Sequence, residues 1–138
     1  MERTLVIVKP DGFARGLTGE VLRRIEAKGY TLDTLQIMTA DRDRLAQHYA
    51  EHEGKPFYQP LVDFMASGPA TFAIVSGHRV IEGFRAIAGA TDPTAAAPGS
   101  IRGDLGRDWG LAVQQNIVHG SDSPESAERE IGIWFAQR

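Results

Sequence analysis

The 138-residue sequence contains no cysteine. That absence removes disulfide frameworks, thiolate zinc sites, iron–sulfur clusters and cysteine nucleophiles from the chemistry available to the chain. Long apolar runs are missing as well. Stretches such as Leu5 to Val8 fall far short of the ~20 residues of a membrane helix, and with Glu2 and Arg3 ahead of that run no signal peptide is expected. The formal net charge is only −3, which argues against specific nucleic-acid partners and membrane association, so a bound anion has to be held by a local cluster of cations. Fifteen glycines and seven prolines are too few for a low-complexity chain. Neither G-x-x-x-x-G-K-[ST] nor G-x-G-x-x-G occurs, and Asp11-Gly12-Phe13-Ala14-Arg15-Gly16 is only a loose likeness of a glycine-rich turn. A nucleotide would therefore be gripped by side chains rather than by a backbone cradle. What remains is an ordinary globular composition, read as a single domain over residues 1–138 that is soluble and cytoplasmic, with about two-thirds of its unfolded surface buried.

Hydrophobic periodicity gives the elements. Thr4 to Lys9 reads as a buried strand ended by the turn residues Pro10-Asp11-Gly12. Thr18 is placed as the cap of a helix carrying Val21, Leu22 and Ile25 and stopped at Gly29. Tyr30 to Thr39 is a second strand, Asp41 to His52 a polar helix, and Phe57 to Met65 a further short helix. Thr71 to Val75 is a third strand, and Val80, Ile81, Phe84 and Ile87 mark a helical stripe closed by Gly89. From Ala90 to about Gln115 periodicity vanishes, and a loop of that length points to function or to disorder. Asn116 to His119 forms a short last strand, and Ser123-Pro124 caps a final helix that buries Ile131, Trp134 and Phe135. This order suits an α/β sandwich of the split βαβ kind, a four-stranded antiparallel sheet with helices on one face.

His119 carries the chemical interest. It ends a predicted strand, Gly120 is expected to leave room beside its ring, and Glu130 follows on the next helix. A carboxylate there would hold one ring nitrogen and leave the other free to act as nucleophile, base or ligand. Against this stands a surface histidine bonded to Ser121 or Asp122. Lys9, Arg85 and Arg102 would make a polyphosphate site if the fold brings them together, since guanidinium forks match phosphate oxygens. Three other patterns carry less. His48 and His52 have the spacing of two zinc ligands on a helix, but Tyr49 stands where a zinc protease has Glu. Arg102-Gly103-Asp104 spells an integrin tripeptide inside a cytoplasmic loop, and Asp41 with Asp43 lacks the glycine and terminal Glu of a calcium loop.

Thr4-Leu5-Val6-Ile7-Val8-Lys9-Pro10-Asp11-Gly12, His48-Tyr49 with Lys55-Pro56-Phe57, Gly89 to Pro93, Pro98 to Asp104, and Asn116-Ile117-Val118-His119-Gly120-Ser121-Asp122 with Ser126-Ala127-Glu128 closely resemble the nucleoside diphosphate kinase family. The resemblance extends from the first strand to Trp134-Phe135. It implies a ferredoxin-like sandwich, Mg2+ dependence, a homo-oligomer, and transfer of the γ-phosphoryl of ATP or another nucleoside triphosphate to a nucleoside diphosphate. By position it implies that His119 becomes phosphohistidine through Nδ1, that Glu130 orients the ring, and that Ser121 and Tyr49 help place the transferred group. Arg85, Thr91 and Arg102 would grip the phosphates, with the metal carried on them rather than by the protein. Lys9 and Asn116 would bond the ribose, Lys9 also lying near the γ-phosphate, and Phe57 would stack on the base in a slot lined by Leu61 and Val113. Such stacking uses a π-face that every base has, so tolerance of base identity is expected.

The stretch Asp104 to Gly110, with Trp109, runs a few residues longer than the family pattern, which loosens the carry-over at Val113 but keeps the Asn116–His119 spacing. The chain ends soon after Phe135, and tetramer and hexamer both stay open. A non-catalytic nucleotide-binding module on the same fold is the alternative; it has no need of a histidine paired with Glu130.

Overall fold

A computed structural model describes residues 1–135. Four strands, β1 (Glu2–Val8), β2 (Thr31–Thr39), β3 (Pro69–Gly77) and β4 (Val118–Gly120), form one antiparallel sheet in the order β2-β3-β1-β4. The helices are α1 (Pro10–Ala14), α2 (Thr18–Ala27), α3 (Arg42–His48), α4 (Tyr58–Met65), α5 (Val80–Ala88), α6 (Ile101–Leu105) and α7 (Pro124–Trp134), with a 3-10 turn at Ala50–His52. The ferredoxin-like sandwich is therefore present, with one correction. The helices cover both faces of the sheet, not one.

The alternation of β1 explains why. Val6 and Val8 pack with Val21 and Ile25 of α2, Val80 and Phe84 of α5, and Ile101 of α6. Leu5 and Ile7 point the other way, into Leu45 of α3, Val62 and Met65 of α4, and Ile131 and Trp134 of α7. A strand buried on both sides needs apolar residues at every position, which is what Leu5-Val6-Ile7-Val8 supplies. Each such side chain is worth roughly 1.5–3 kcal/mol when fully buried, so the two cores rather than local propensity hold the sheet. β2 is the exposed edge, with a bulge between Leu32 and Thr34 and with Leu35 and Ile37 facing solvent.

Several boundaries differ from the sequence reading. Pro10-Asp11-Gly12 is not a turn but the first turn of α1, where proline suits the N1 position. Thr18 lies inside α2, capped instead by Leu17, and its hydroxyl meets that of Thr71 at 3.2 Å. The polar helix from Asp41 breaks after His48 into the 3-10 turn, while Asp41 caps it by accepting from Arg44 N at 2.9 Å. The long aperiodic segment hides α6, capped by Ser100, which accepts from Gly103 N at 3.0 Å. The Ser123 cap of α7 is as expected, with Ser126 N donating to its Oγ at 3.1 Å. Among the described residues no helix is long and apolar enough to cross a membrane.

Candidate active site

β4 hydrogen-bonds to the C-terminal half of β1, pairing His119 with Ile7, so the ends of these two strands meet. Lys9 follows β1, Asn116 and Ile117 precede β4, and both junctions border a cleft of about 350 Å³. Lys9, Arg85, Thr91, Arg102, Asn116, His119 and Glu130 all line it, so the three cations that the sequence left scattered do converge.

His119 Nε2 meets the buried Glu130 Oε1 at 2.8 Å. A carboxylate is an acceptor, so Nε2 carries the proton and the Nδ1 lone pair is left free. Burial works against an ionised Glu130, but the hydrogen bond and charge of His119, with help from His48 and Ser121, outweigh it and hold the carboxyl at about 2. Ser121 sits behind this carboxylate. It is fully buried, donates from Oγ to Glu130 Oε1 at 2.8 Å and accepts from Leu5 N at 3.1 Å. Its hydroxyl steadies the carboxylate, and it is absent from the cleft wall.

The approach to His119 is strained. Ile117 adopts φ 75°, uncommon for a β-branched residue, inside a three-residue turn closed by Val118 N donating to Asn116 O at 2.8 Å. Such conformations cost about 1–3 kcal/mol and persist only where the surroundings enforce them. Here Ile117 N donates to Asp11 Oδ2 at 3.0 Å and Ile117 O accepts from Lys9 N at 2.8 Å. A Cβ on Gly12 would stand 2.9 Å from Ile117 Cγ2, so the first turn of α1 can approach this closely only with glycine. The strained turn also explains why β4 begins at Val118 rather than at Asn116. Gly120 serves differently from expectation: it leaves room not for the imidazole but for the Phe84 ring, 2.6 Å from where a Cβ would sit.

Lys9 Nζ donates to Asn116 Oδ1 at 2.9 Å, and Asn116 Nδ2 donates to Thr91 O at 3.0 Å. Lysine accepts nothing, which fixes the amide orientation. Burial, then the charge of Arg102, lowers the Lys9 ammonium to about 8, against a smaller opposing pull from Asp11. Arg102 donates Nε to Asn116 O at 3.1 Å, one Nη to Gly89 O at 2.8 Å and the other to Val118 O at 2.7 Å. Three of its five N–H groups thus staple three segments of the cleft together, leaving two; burial, then Arg85, lowers the guanidinium to about 10.

The remaining expected residues stand apart from the cleft. Phe57, 48% exposed, stands at the N-cap of α4, and Leu61 lies one turn on; neither they nor Val113 line the cleft. Tyr49 packs edge-on to His48 at 4.6 Å between centroids, and burial, then Glu130, pushes its hydroxyl pKa up. The zinc pair does not form: His48 is buried while His52 lies against Phe57 at 5.1 Å between centroids. In Arg102-Gly103-Asp104 the first two residues are half-buried in α6, and the exposed Asp104 is tied within the chain, accepting from Gly99 N at 2.8 Å and pairing with Arg24 at 3.0 Å. Trp109 stands between Arg15 and Arg107, 5.8 and 4.5 Å from their guanidinium carbons. Sequence reasoning missed Asp11, His48 and Trp134 as parts of this site; their partners lie far away along the chain.

The family model for nucleoside diphosphate kinase matches residues 2–138. The chain belongs to the nucleoside diphosphate kinase family. It is 59% identical over 138 residues to the enzyme of Streptomyces avermitilis, covering 99% of this chain and 98% of that one. It is 58% identical to that of Saccharopolyspora erythraea, with the same coverage. Among solved structures, a halophilic nucleoside diphosphate kinase from Halobacterium salinarum in complex with CDP superposes with a TM-score of 0.92 at 43% identity, over 99% of this chain and 88% of that one. As a nucleoside diphosphate kinase the protein moves the γ-phosphoryl of a nucleoside triphosphate to a nucleoside diphosphate by the ping-pong mechanism general to the family. Enzymes of this family generally need a divalent cation.

Proposed function

We propose that His119 is the residue phosphorylated in each cycle and that the cleft around it binds the phosphates of donor and acceptor in turn. The observation that carries this reading is the bond from His119 Nε2 to buried Glu130, which leaves Nδ1 free in a cleft lined by Lys9, Arg85 and Arg102. The Nδ1 lone pair attacks the γ-phosphorus; an N–P bond forms and the P–O bond to the diphosphate breaks. Positive charge appearing on the ring is met by Glu130, which stays ionised at any physiological pH. Ser121 acts through that carboxylate. The acceptor diphosphate then takes the phosphoryl group back from nitrogen to oxygen. A loose phosphoryl-transfer transition state asks chiefly for alignment and for charge near its equatorial oxygens, which Arg85, the two free N–H groups of Arg102, and Thr91 supply. Lys9 and Asn116 hold the sugar, Lys9 lying near the γ-phosphate as well, and Phe57, Leu61 and Val113 receive the base.

The divalent ion is Mg2+ borne by the nucleotide. Of the two carboxylates on the cleft, Glu130 is committed to His119 and Ser121, and only the exposed Asp122 is left to meet waters of a phosphate-bound ion. That donor set fits an ion brought by the substrate rather than a protein-made octahedral cage. Bound with the nucleotide, Mg2+ neutralises charge on the phosphate oxygens. The enzyme works in the cytoplasm as a homo-oligomer, tetramer or hexamer; the exposed edge strand β2 with Leu35 and Ile37 supports association. A light-scattering mass equal to one chain would remove the oligomer.

Incubation with γ-labelled ATP should give an acid-labile, alkali-stable phosphoprotein that passes its label to GDP. His119→Asn should lower kcat by at least roughly a thousandfold and abolish the label. A variant that keeps full activity, or a label found on another residue, would refute the assignment.

A further inference from the structure

His48 lies outside the cleft wall, yet its ring stands 4.9 Å from that of His119, centroid to centroid, at 67°. It is buried, and the Trp134 indole donates Nε1–H to its Nδ1 at 3.0 Å. An indole nitrogen is a donor only, so His48 Nδ1 must present a lone pair and the neutral ring must carry its proton on Nε2. Burial, the largest cause, and the charges of His119, Arg129 and Lys9 lower its pKa to about 3 against a smaller pull from Glu130, so the neutral form holds wherever the enzyme works. Protonating Nδ1 would also set N–H against N–H across the indole contact.

We propose that His48 is a positioning residue for phosphoryl transfer, locked as the Nε2–H tautomer by Trp134 so that a neutral ring braces His119 while the nucleophile gains and loses its phosphoryl group. A single hydrogen bond at Nε2 fixes one edge of the His119 ring but leaves it free to rock about that bond. A second ring packed at a steep angle restricts this rocking without competing for Glu130. A charged side chain in the same place would compete, because Glu130 is the carboxylate both would reach. The lock also disposes of another reading of the cluster. His48, His119 and Glu130 bring ligand atoms within 4.8 Å of one another, as a transition-metal site would. His48 could offer Nε2 to a metal only by moving its proton to Nδ1, against the indole donor.

The inference rests on His119 being the nucleophile, and the test separates the two. Nitrogen-15 spectra of histidine-labelled wild-type enzyme should show His48 unprotonated at Nδ1 and protonated at Nε2 from about pH 5 upward. In single-turnover phosphorylation by ATP, His48→Phe should lower the limiting rate by roughly ten- to a hundredfold, the scale of a misplaced reacting group, with half-saturating ATP unchanged. His48→Gln, which retains an oxygen for the indole and an N–H donor, should recover most of the rate. The proposal is overturned by a proton on Nδ1 of His48, by wild-type rates in His48→Phe, or by glutamine rescuing no better than phenylalanine. If neither variant folds, the wild-type spectrum alone decides. Absence of a phosphorylated wild-type His119 would instead remove the function proposed for the cleft.

Discussion

Around His119 several polar contacts join distant parts of the chain, whereas Phe57 stands 48% exposed beside His52 and Lys55, its near neighbours in sequence. Leu5 N reaches Ser121, Asp11 clamps Ile117, and Trp134 holds His48, across 116, 106 and 86 residues of chain. Contacts of that span can break only when the fold opens, while local contacts loosen by themselves. The contrast matches what each end of a nucleotide demands. In the proposed phosphohistidine cycle, triphosphate and His119 must meet in one alignment each time, and a small misplacement costs much of the rate. The base differs from substrate to substrate, and in the proposed base contact the half-exposed Phe57 ring offers a stacking face without hydrogen bonds that would choose among bases.

Arg102→Ala tests the rigid end with the largest expected effect. The substitution leaves the carbonyls of Gly89, Asn116 and Val118 without their charged donor and removes the phosphate contact proposed for the two remaining N–H groups. Stability should fall by about 2–4 kcal/mol in urea unfolding, and kcat/KM by roughly a hundredfold or more. An alanine variant of wild-type stability would show that the staple contributes nothing. Phe57→Ala tests the loose end. Loss of stacking worth about 1–3 kcal/mol should raise KM for nucleoside diphosphates, by a similar factor for purines and pyrimidines, while kcat and the melting temperature hardly move. A large fall in kcat, or an effect confined to one base, would show that the base end also takes part in alignment.

The sequence makes some of this construction visible and hides the rest for identifiable reasons. Leu5–Val8 and Thr71–Val75 read correctly as buried strands, whereas the expectation of helices on one face passed over their lack of polar alternation, which marks a sheet covered on both faces. His119 with Glu130 was legible because β4 and α7 are consecutive, so eleven residues suffice to fold the carboxylate back onto the ring. α6 was hidden because a five-residue helix shows too little periodicity. Asp11 was hidden because its partner is a backbone N–H at Ile117, and nothing in either local pattern refers to the other. The same holds for Trp134, which reads as a core residue because its burial is visible in the helical stripe while its one hydrogen bond to His48 is not.

Titration sharpens the contrast further, with the smallest expected effect. The phosphate end contains a group that changes charge near working pH, the Lys9 ammonium at about 8 in the free enzyme; the Phe57 ring does not titrate. A polyanion binds the protonated form, so bound nucleotide should raise this pKa, and by linkage affinity is constant below it and declines as pH rises through it. KM for a nucleoside diphosphate should therefore increase roughly fivefold between about pH 8 and about pH 9, one proton being needed per nucleotide bound. Phe57→Ala should shift this curve upward without changing its shape, because stacking adds the same free energy at each pH. Lys9→Met should begin with a higher KM and lose the alkaline rise. If the rise persists in Lys9→Met, another group at the phosphate end sets it; if it disappears in Phe57→Ala, the two ends are coupled and their separation does not hold.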